Sequence, residues 1–378
     1  MNRTMLPSAR YYFYVLALLL CKFCAPAHPL DTWHVRHSGA GGLNGVAFGP
    51  GVFVAVGSSG TILTSVKGEI WTAQDAGTHA TLNAIAYGSG TFVVVGADGL
   101  ILTSPDGTNW TARVSGVASR LLSVVFERGL FVAAGESGAL LTSVDGQAWA
   151  AQKSGYAFSP WFIAHGNGLL LLESTEGTNL LSTDGTNWFK RPSGSDKGLY
   201  TIGFGAGRFV AIDILNRTFL SSDGSNWVAG GSVALLRPSR IVYGNGQFVT
   251  GGGGSLEYSP NGVNWTVSPT GYLYVTWDVA FGDGTFVAVG GDGANETIKQ
   301  SDPVVWLQSS SSGSLDLYGP SGVSYGIEAL DLLTADREWA TLTNFTLSNL
   351  PHHWTDPERL QHSERFYRVI IKGEGLRP

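Results

Sequence analysis

Residues 102–110, with the sequence Leu-Thr-Ser-Pro-Asp-Gly-Thr-Asn-Trp, are one copy of a unit that recurs along most of the chain. Each copy combines the end of an apolar run, a Ser-x-Asp-Gly turn and a Trp that opens the next run. An Asp side chain accepts local backbone N–H groups in a turn, and Gly adopts positive φ without strain. The unit therefore predicts a strand, a tight turn and a second strand. Related copies lie at 65–71, 142–149, 182–188, 221–227 and 259–265.

The tryptophans of these copies set a regular period. Successive spacings are 38, 39, 39, 39, 39, 38 and 41 residues, so that eight markers enclose seven intervals. A period near 40 with four strands in each unit is typical of β-propeller blades. The markers are Trp33, Trp71, Trp110, Trp149, Trp188, Trp227, Trp265 and Trp306.

Each interval contains the parts of a four-stranded blade. In the second interval, residues 82–88, 91–96, 100–104 and 110–113 read as four strands separated by Gly-containing turns. Neither face of the first strand is polar, as expected for a blade that lies between two neighbours. Seven intervals predict seven blades with one fourth-strand copy left over. We infer that residues 33–37 complete the seventh blade and that Trp306 begins the segment that leaves the propeller. The reverse assignment, in which the Trp306 strand completes the blade, stays open.

The N-terminal segment reads as a secretory signal peptide. Arg3 and Arg10 precede an apolar run at 11–20, and residues 25–27 (Ala-Pro-Ala) have the form of a cleavage site. A retained anchor is the alternative, but the run is shorter than the roughly 20 residues that span a membrane. A lipoprotein signal ending at Cys21 fits less well. The sequence thus predicts cleavage after Ala27 and a secreted protein, which would be extracellular, on the cell surface or periplasmic.

Composition narrows the possible partners. Removing residues 1–27 lowers the number of basic residues from 23 to 20 against 29 acidic ones, which gives a net charge of −9. An acidic chain without a basic run argues against nucleic acid and against an anionic membrane surface as partners. The chain contains 52 Gly and 12 Trp, which fits many short strands joined by tight turns.

The period stops after Trp306. We predict a Ser/Gly linker over 307–314 and a small antiparallel, sandwich-like β domain over 315–373, because apolar residues alternate there between Gly and Pro turns. The predicted organisation is therefore a signal peptide at 1–27, a seven-bladed propeller at 30–306, the linker and the C-terminal β domain. The fold class is all-β.

The repeat resembles the Asp-box (BNR-like) propellers, whose motif is Ser-x-Asp-x-Gly-x-Thr-Trp. The copies here read Ser-x-Asp-Gly-x-x-Trp, one residue shorter. In detail the chain resembles a family of bacterial secreted propellers with Leu-Asn-x-Val-Ala-Tyr-Gly repeats, and residues 365–369 (Arg-Phe-Tyr-Arg-Val) resemble the end of their C-terminal β domain. This resemblance implies the fold, whereas Asp-box propellers include sialidases, other glycosidases, assembly factors and binding proteins.

The turn aspartates and the histidines favour structural roles. Asx-turn chemistry explains Asp106, Asp145, Asp184 and Asp223 without calcium or catalysis. His34, His37, His352 and His353 have no Cys or carboxylate partner at ligand spacing, so we predict no metal and no cofactor. An early Arg-Ile-Pro-type signature of sialidases is also missing from the sequence.

Candidate binding residues lie where blades depart from their own consensus. Aligned first strands place Trp161, Tyr200 and Trp277 at one position, and Arg240 and Asp278 at the next, beside one mouth of the central channel. The loops between second and third strands add Glu173 and Asp213 on the same face. Aromatic platforms beside polar groups are typical of sugar or peptide sites. Ordinary drift between repeats is the alternative explanation.

Three functions follow from these residues. The favoured hypothesis is a non-enzymatic propeller that binds an extracellular glycan or protein, with Trp161, Tyr200 and Trp277 as stacking residues and Glu173, Asp213 and Arg240 as polar ones. The second is an Asp-box glycoside hydrolase, sialidase-like, that would use two of the carboxylates Glu173, Glu176, Asp213 and Asp278. The third is a scaffold or assembly factor without a small ligand.

Overall fold

The structure is a computed structural model and divides the chain into two compact units, of which the larger spans His28–Asp302. It describes residues 28–153, 155, 160, 162–173, 177–271, 273–291, 295–309, 314–319, 323–330, 339–347, 352–357 and 366–372. The larger unit is a seven-bladed β-propeller, as the Trp period predicts. Each blade is a four-stranded antiparallel sheet in which the first strand is innermost and the fourth is outermost.

The strands are numbered in chain order and fall into blades as follows. Blades 1 to 3 consist of β2 (Leu43–Gly49), β3 (Val52–Gly57), β4 (Ile62–Ser65) and β5 (Thr72–Gln74); β6 (Leu82–Gly88), β7 (Thr91–Gly96), β8 (Ile101–Ser104) and β9 (Thr111–Arg113); and β10 (Leu121–Glu127), β11 (Leu130–Gly135), β12 (Leu140–Ser143) and β13 (Ala150–Ala151). Blades 4 and 5 consist of β14 (Ile163–Gly166), β15 (Leu169–Glu173), β16 (Thr178–Ser182) and β17 (Phe189–Pro192); and β18 (Leu199–Gly205), β19 (Arg208–Asp213), β20 (Arg217–Ser221) and β21 (Val228–Ser232). Blades 6 and 7 consist of β22 (Val242–Gly244), β23 (Gln247–Gly251), β24 (Leu256–Ser259) and β25 (Thr266–Val267); and β26 (Thr276–Gly282), β27 (Thr285–Gly291), β28 (Asn295–Ser301) and β1 (Trp33–Ala40). Short 3-10 turns span Pro29–Asp31, Ser58–Gly60, Ala97–Gly99 and Glu136–Gly138.

The ring closes through the N-terminal strand. β1 pairs antiparallel with β28, from Trp33 opposite Ser301 to Ala40 opposite Asn295, and so completes the seventh blade. His37 and Glu296 reinforce this pair, with Nε2 and Oε1 2.8 Å apart. Closure by the leftover strand is therefore the assignment that the structure supports, and no blade edge is left open at this seam.

The repeated turn has the structural role that Asx-turn chemistry predicts. In blade 4, Asp184 Oδ1 accepts hydrogen bonds from the backbone N–H groups of Thr186 (2.9 Å) and Asn187 (2.8 Å), and the indole N–H of Trp188 donates to the carbonyl of Gly185 (3.1 Å). The same Asp-to-backbone bonds form at Asp106, Asp145 and Asp223. These hydrogen bonds hold the pKa values of all four carboxyls below their usual range.

The core lies between neighbouring blades. A cluster at the closing seam combines Leu43, Phe53 and Leu63 of blade 1 with Val287 and Ile298 of blade 7, and Trp71 packs against it. Further clusters of the same kind join neighbouring blades around the ring. Large side chains of one blade therefore fill the space left by small ones on the next.

Glycines at the ends of inner strands allow this packing. A Cβ on Gly88 would lie only 2.0 Å from Cγ of Phe126, the aromatic residue of the following blade. The aromatic ring thus occupies the volume that any other residue at position 88 would fill. The Tyr-Gly and Phe-Gly pairs of the sequence are for this reason a packing signal as well as a turn signal.

The smaller unit contains two three-stranded antiparallel sheets after Pro303. One consists of β29 (Trp306–Ser309), β30 (Leu315–Tyr318) and β33 (His352–Trp354), and the other of β32 (Ala340–Thr346), β31 (Ser324–Leu330) and β34 (Phe366–Lys372). Leu317 of the first sheet and Tyr325 of the second share one buried cluster. Because β29 pairs with β30, Trp306 belongs to this unit, and the predicted linker at 307–314 overlaps the end of a strand.

Candidate functional site

The described members of the predicted binding set lie on the face where every inner strand begins, which we call the mouth face. In blades 1, 2, 3, 5 and 7 the register shifts at the second residue of the inner strand, which forms a β-bulge. Bulges redirect a side chain away from the pleated surface. The bulge residues are Asn44, Asn83, Leu122, Tyr200 and Trp277.

The bulge residues differ in what they contact. In blades 1 and 2, the side-chain amides of Asn44 and Asn83 donate hydrogen bonds to the carbonyls of Leu82 and Leu121 in the following blades, at 2.8 and 2.7 Å. In blades 5 and 7 these links are replaced by aromatic residues. Tyr200 is partly buried, and 45% of Trp277 is exposed to solvent. The ring therefore presents aromatic surface at blade 7, where blades 1 and 2 have a structural amide.

In blades 3 and 7, the next position of the inner strand connects neighbouring blades. Ser123 Oγ accepts a hydrogen bond from the backbone N–H of Ile163 at 3.0 Å, and Asp278 Oδ2 accepts one from the N–H of Val46 at 3.1 Å. Asp278 Oδ1 also accepts the N–H of Val279 at 2.9 Å. Burial raises the pKa of Asp278, and the nearby positive charge of Arg240, 3.7 Å away, opposes that rise. Asp278 thus acts as a connection between blades 7 and 1.

Glu173 and Asp213, which the sequence nominates as polar ligand-binding residues, are both buried. Glu173 Oε1 accepts the backbone N–H of Phe162 at 3.2 Å, so it fixes the start of the inner strand of its own blade. The sequence places both residues on the correct face but does not show that they point into the protein. Their role at this face is to support the loops around them.

Asp213 organises the loop between β19 and β20. Its carboxylate accepts hydrogen bonds from Ser195 Oγ (2.8 Å), from the backbone N–H groups of Leu215 and Arg217 (both 2.9 Å), and from Arg217 Nε (2.8 Å). Burial alone would raise the pKa of Asp213, but the bonds from Arg217 and Ser195 outweigh it and hold the pKa below its usual range. Asp213 therefore fixes the turn that carries Ile214 and Leu215.

Three more residues that the sequence analysis suggests for a site are Trp161, Glu176 and Arg240. Trp161 and Glu176 lie outside the described residues. Arg240 is partly exposed at the mouth face, where its only ion pair within the described chain is the 3.7 Å contact with Asp278. Tyr200, Trp277 and Arg240 are thus the nominated residues that keep surface for a ligand.

The central channel contains a cavity. This cavity of about 300 Å³ is lined by the inner strands of all seven blades, and most of its lining is aliphatic or aromatic. Its lining also includes Arg240 towards the mouth face and His165 at the far ends of the strands. His165 Nδ1 lies 3.0 Å from Glu127 Oε2, and this bond lowers the pKa of Glu127.

The three described carboxylates that the sequence suggests for a hydrolase have structural contacts. A glycosidase needs two carboxylates that face the same sugar, one of them as acid. Glu173, Asp213 and Asp278 instead each accept backbone hydrogen bonds that hold a strand or a loop. Within the described ranges, no group of three His, Cys, Asp or Glu residues could hold a metal ion. The same ranges include no helix that is long and apolar enough to cross a membrane.

Five exposed apolar residues form a strip, and only one of them, Trp277, was predicted from the sequence as a binding residue. Its members lie on the mouth face of blades 5 to 7 and are each exposed by 45% or more; we call them the apolar strip. They are Ile214, Leu215, Leu236, Tyr274 and Trp277. Trp277 stands out at an aligned strand position, whereas the others belong to irregular loops whose exposure depends on how those loops pack.

Comparisons with known proteins define the class of protein by its fold. No protein-family model and no curated protein sequence matches the chain. The propeller is similar to the solved structures titled "YCF48 bound to D1 peptide" and "YCF48 from Cyanidioschyzon merolae". Both have a TM-score of 0.58 and 16% identity, and the matches cover 71% of this chain and 94% and 98% of those chains. It is also similar to the WD40 β-propeller domain of Doa1, with a TM-score of 0.57, 15% identity and coverage of 71% of this chain and 96% of that one. At such identities the similarity establishes the seven-bladed propeller fold alone.

Proposed function

We propose that the chain is a non-enzymatic recognition protein that binds a protein partner at the mouth face. One observation carries the proposal: Glu173, Asp213 and Asp278, the described carboxylates that the sequence suggests for a hydrolase, hold the backbone in place, while Trp277 and the rest of the apolar strip remain exposed on the same face. Exposed aromatic side chains surrounded by polar groups are typical of protein interfaces. The β-propeller fold is compatible with a binding or scaffold role.

The comparison with solved propellers supports the choice of a protein partner. One of the similar structures is, by its title, bound to a peptide. A propeller presents one face on which loops from several blades converge, so a single extended segment can contact several blades at once. We transfer only this mode of binding to the present chain, and not the partner.

A glycan is the second candidate, and Trp277 is the observation that favours it. An exposed indole at the edge of a channel mouth can stack against a sugar ring. Sugar sites also require polar groups that meet the hydroxyls. Glu173 and Asp213, the nominated polar partners, already accept hydrogen bonds from their own chain, and this favours the protein partner.

The test compares peptides and glycans on the same protein. We would pan residues 28–378 against a displayed library of random peptides and against a glycan array, using Trp277→Ala and Tyr200→Ala as mouth-face variants. Phe189→Ala is the matched control, because Phe189 is an exposed aromatic residue on an outer strand. The proposal predicts selected peptides that bind the wild type and the control and lose affinity for Trp277→Ala. Binding of glycans alone would favour the second candidate, and release of free sugar would overturn a non-enzymatic role.

We further propose that the protein is secreted after cleavage behind Ala27 and belongs with the Asp-box-like propellers of bacteria. The charged start, the apolar run and the Ala-Pro-Ala site at 25–27 support export, and the hydrogen-bonded Ser-x-Asp-Gly turns support the relationship. Expression of the full chain in a bacterial host, followed by N-terminal sequencing of the exported protein, tests the first point. A mature protein that begins at His28 is expected, whereas an uncleaved cytoplasmic product would contradict export.

A further inference from the structure

Exposed apolar side chains are distributed unevenly over the propeller. On the outer strands and turns they are spread from blade to blade; they are Val35, Val66, Ile70, Val114, Val144, Phe189, Val228 and Val267. Scattered single residues of this kind are normal on a soluble protein. Among the described inner-strand starts and mouth-face loops, by contrast, the exposed members lie in blades 5 to 7, where they form the apolar strip.

The members of the strip are joined by the backbone that carries them. Asn216 Nδ2 donates to the carbonyl of Leu235 at 2.7 Å, which fastens the Ile214–Leu215 turn beside Leu236. Gly253 then donates its N–H to the carbonyl of Leu236 at 2.6 Å, and Gly254 donates to the carbonyl of Leu273 at 3.1 Å. Leu236 and Tyr274 therefore lie on either side of the glycine segment at 252–254. These hydrogen bonds, with that from the N–H of Thr276 to the carbonyl of Gly252 at 3.1 Å, bring the segments that carry the strip next to one another.

The equivalent turns of other blades provide an internal comparison. Blades 1, 2 and 3 use the polar turns Ser58–Gly60, Ala97–Gly99 and Glu136–Gly138 between the second and third strands. Blade 5 has Ile214 and Leu215 in the same turn, 47% and 55% exposed. The same backbone position therefore accepts polar residues in three blades, so folding does not require apolar ones in the fifth.

Arg237 marks the same surface by its backbone conformation. Ten of the eleven described non-glycine residues with positive φ lie at two turn positions that recur from blade to blade, and Arg237, with φ of 51°, does not. It also precedes Pro238, and the residue before a proline normally adopts an extended conformation. Strain of this kind is concentrated at functional sites. The strained residue here, Arg237, is cationic and exposed, and it directly follows Leu236.

The charges around the strip favour an anionic partner. Asp213 and Asp278 are buried, and the exposed Asp196 is engaged by Arg217 and Lys197. Arg237 is exposed and has no ion pair within the described chain, and Arg240 has the one long contact with Asp278. The surroundings of the apolar strip therefore present the positive charge of Arg237 and Arg240, although the net charge of the whole chain is −6.

We propose that the apolar strip, together with Arg237 and Arg240, binds an extended protein segment in which apolar side chains stand next to carboxylates. The inference rests on the proposed function and adds the chemistry of the partner. The apolar side chains of the segment cover Leu236 and Tyr274, and its carboxylates pair with the two arginines. Complementary charge of this kind fixes the register of a segment and increases its rate of association.

The experiment uses the peptides selected on the wild-type propeller. Their sequences are expected to be enriched in Asp or Glu beside Leu, Ile or Phe. A synthetic copy of a selected peptide should bind Leu236→Ser and Arg237→Ala about tenfold more weakly than the wild type, the loss typical of central interface residues. Affinity for the wild type should fall as salt is added, and this dependence on salt should weaken in Arg237→Ala. Val228→Ser, on an outer strand, is the matched control and should bind normally.

Two outcomes separate this inference from the proposed function. Selected peptides that depend on Trp277 but show no acidic enrichment and ignore Leu236→Ser and Arg237→Ala would overturn the inference and leave the proposed function standing. If no selected peptide has an affinity that depends on Trp277, both the inference and the proposed function are overturned. Circular dichroism melts of each variant exclude unfolding as the cause of lost binding.

Discussion

Oδ2 of Asp278 accepts a hydrogen bond from the backbone N–H of Val46 at 3.1 Å, and this bond joins the inner strand of the last blade to that of the first. It lies beside the seam at which β1 closes the ring. A residue that reads from the sequence as a candidate acid at the channel mouth is thus part of the closure of the propeller. The same carboxylate keeps Arg240 at the mouth face.

We predict that Asp278→Ala lowers the free energy of unfolding by about 1–3 kcal/mol, because it leaves the buried N–H groups of Val46 and Val279 without an acceptor. Equilibrium denaturation in urea measures the change. Glu69→Gln is the control, since Glu69 is exposed, and it should leave the stability unaltered. An Asp278→Ala protein as stable as the control would contradict the role of this bond.

The stability contributed by Asp278 should fall as pH rises. Burial raises its pKa above the value in the unfolded chain, roughly 3.9, so the native state holds the proton more tightly. Between the unfolded and the folded pKa the native state binds more protons, and the free energy of unfolding therefore decreases with pH. The free energy of unfolding of the wild type minus that of Asp278→Asn should accordingly be larger at pH 4 than at pH 7. Denaturation curves at several pH values check this, and an opposite slope would show that the pKa is lowered.

The repeated turn predicts different costs for two changes at Asp184. Asp184→Ala removes the acceptor for the N–H groups of Thr186 and Asn187 and should cost about 1 kcal/mol. Asp184→Asn should cost less, because Asn261 takes this place in blade 6 and its Oδ1 accepts the N–H groups of Val263 and Asn264. Urea denaturation at pH 7 distinguishes the two. Equal costs would mean that the charge, rather than the acceptor, is what the turn needs.

Gly88 should not tolerate a side chain. Gly88→Ala would place its Cβ against the Phe126 ring of the next blade and should lower the free energy of unfolding by about 1–3 kcal/mol, the usual effect of overpacking. The control is Gly42→Ala, where the new Cβ would meet only Ser58 Oγ at an ordinary 3.6 Å. A neutral Gly88→Ala protein would show that neighbouring blades can separate without cost.

Closure by β1 can be tested with a chain that begins at Gly41. Without β1, the edge of β28 is exposed, and we expect a lower melting temperature and aggregation. A synthetic peptide of residues 28–40 should restore the melting temperature when added in trans, whereas a scrambled peptide should not. A truncated chain that melts at the temperature of the full one would contradict closure through β1.

The fold could be read from the sequence because its signals are local and repeated. The Trp spacing, the turn motif and the Tyr-Gly pairs each occur several times, so irregular copies such as residues 65–71 do not obscure the pattern. The alignment of blades also placed Tyr200 and Trp277 at the mouth of the channel.

The proposed binding surface could be predicted only in part, because exposure is a property of tertiary packing. Asp213 was nominated for its charge, yet it is buried beneath the turn that it holds, and the neighbouring Ile214 and Leu215 are exposed instead. Leu236 and Arg237 lie in the irregular entry to blade 6, where the repeat gives no register. Their departure from the consensus was the available signal.

Hydrogen–deuterium exchange of the propeller, with and without a selected peptide, would locate the bound partner on the surface. We predict slower exchange on binding in residues 198–200, 213–217, 234–240 and 273–278, which form the mouth face of blades 5 to 7. Slower exchange confined to the hairpins at the opposite face, such as 88–91 and 127–130, or to the outer strands, would contradict this prediction.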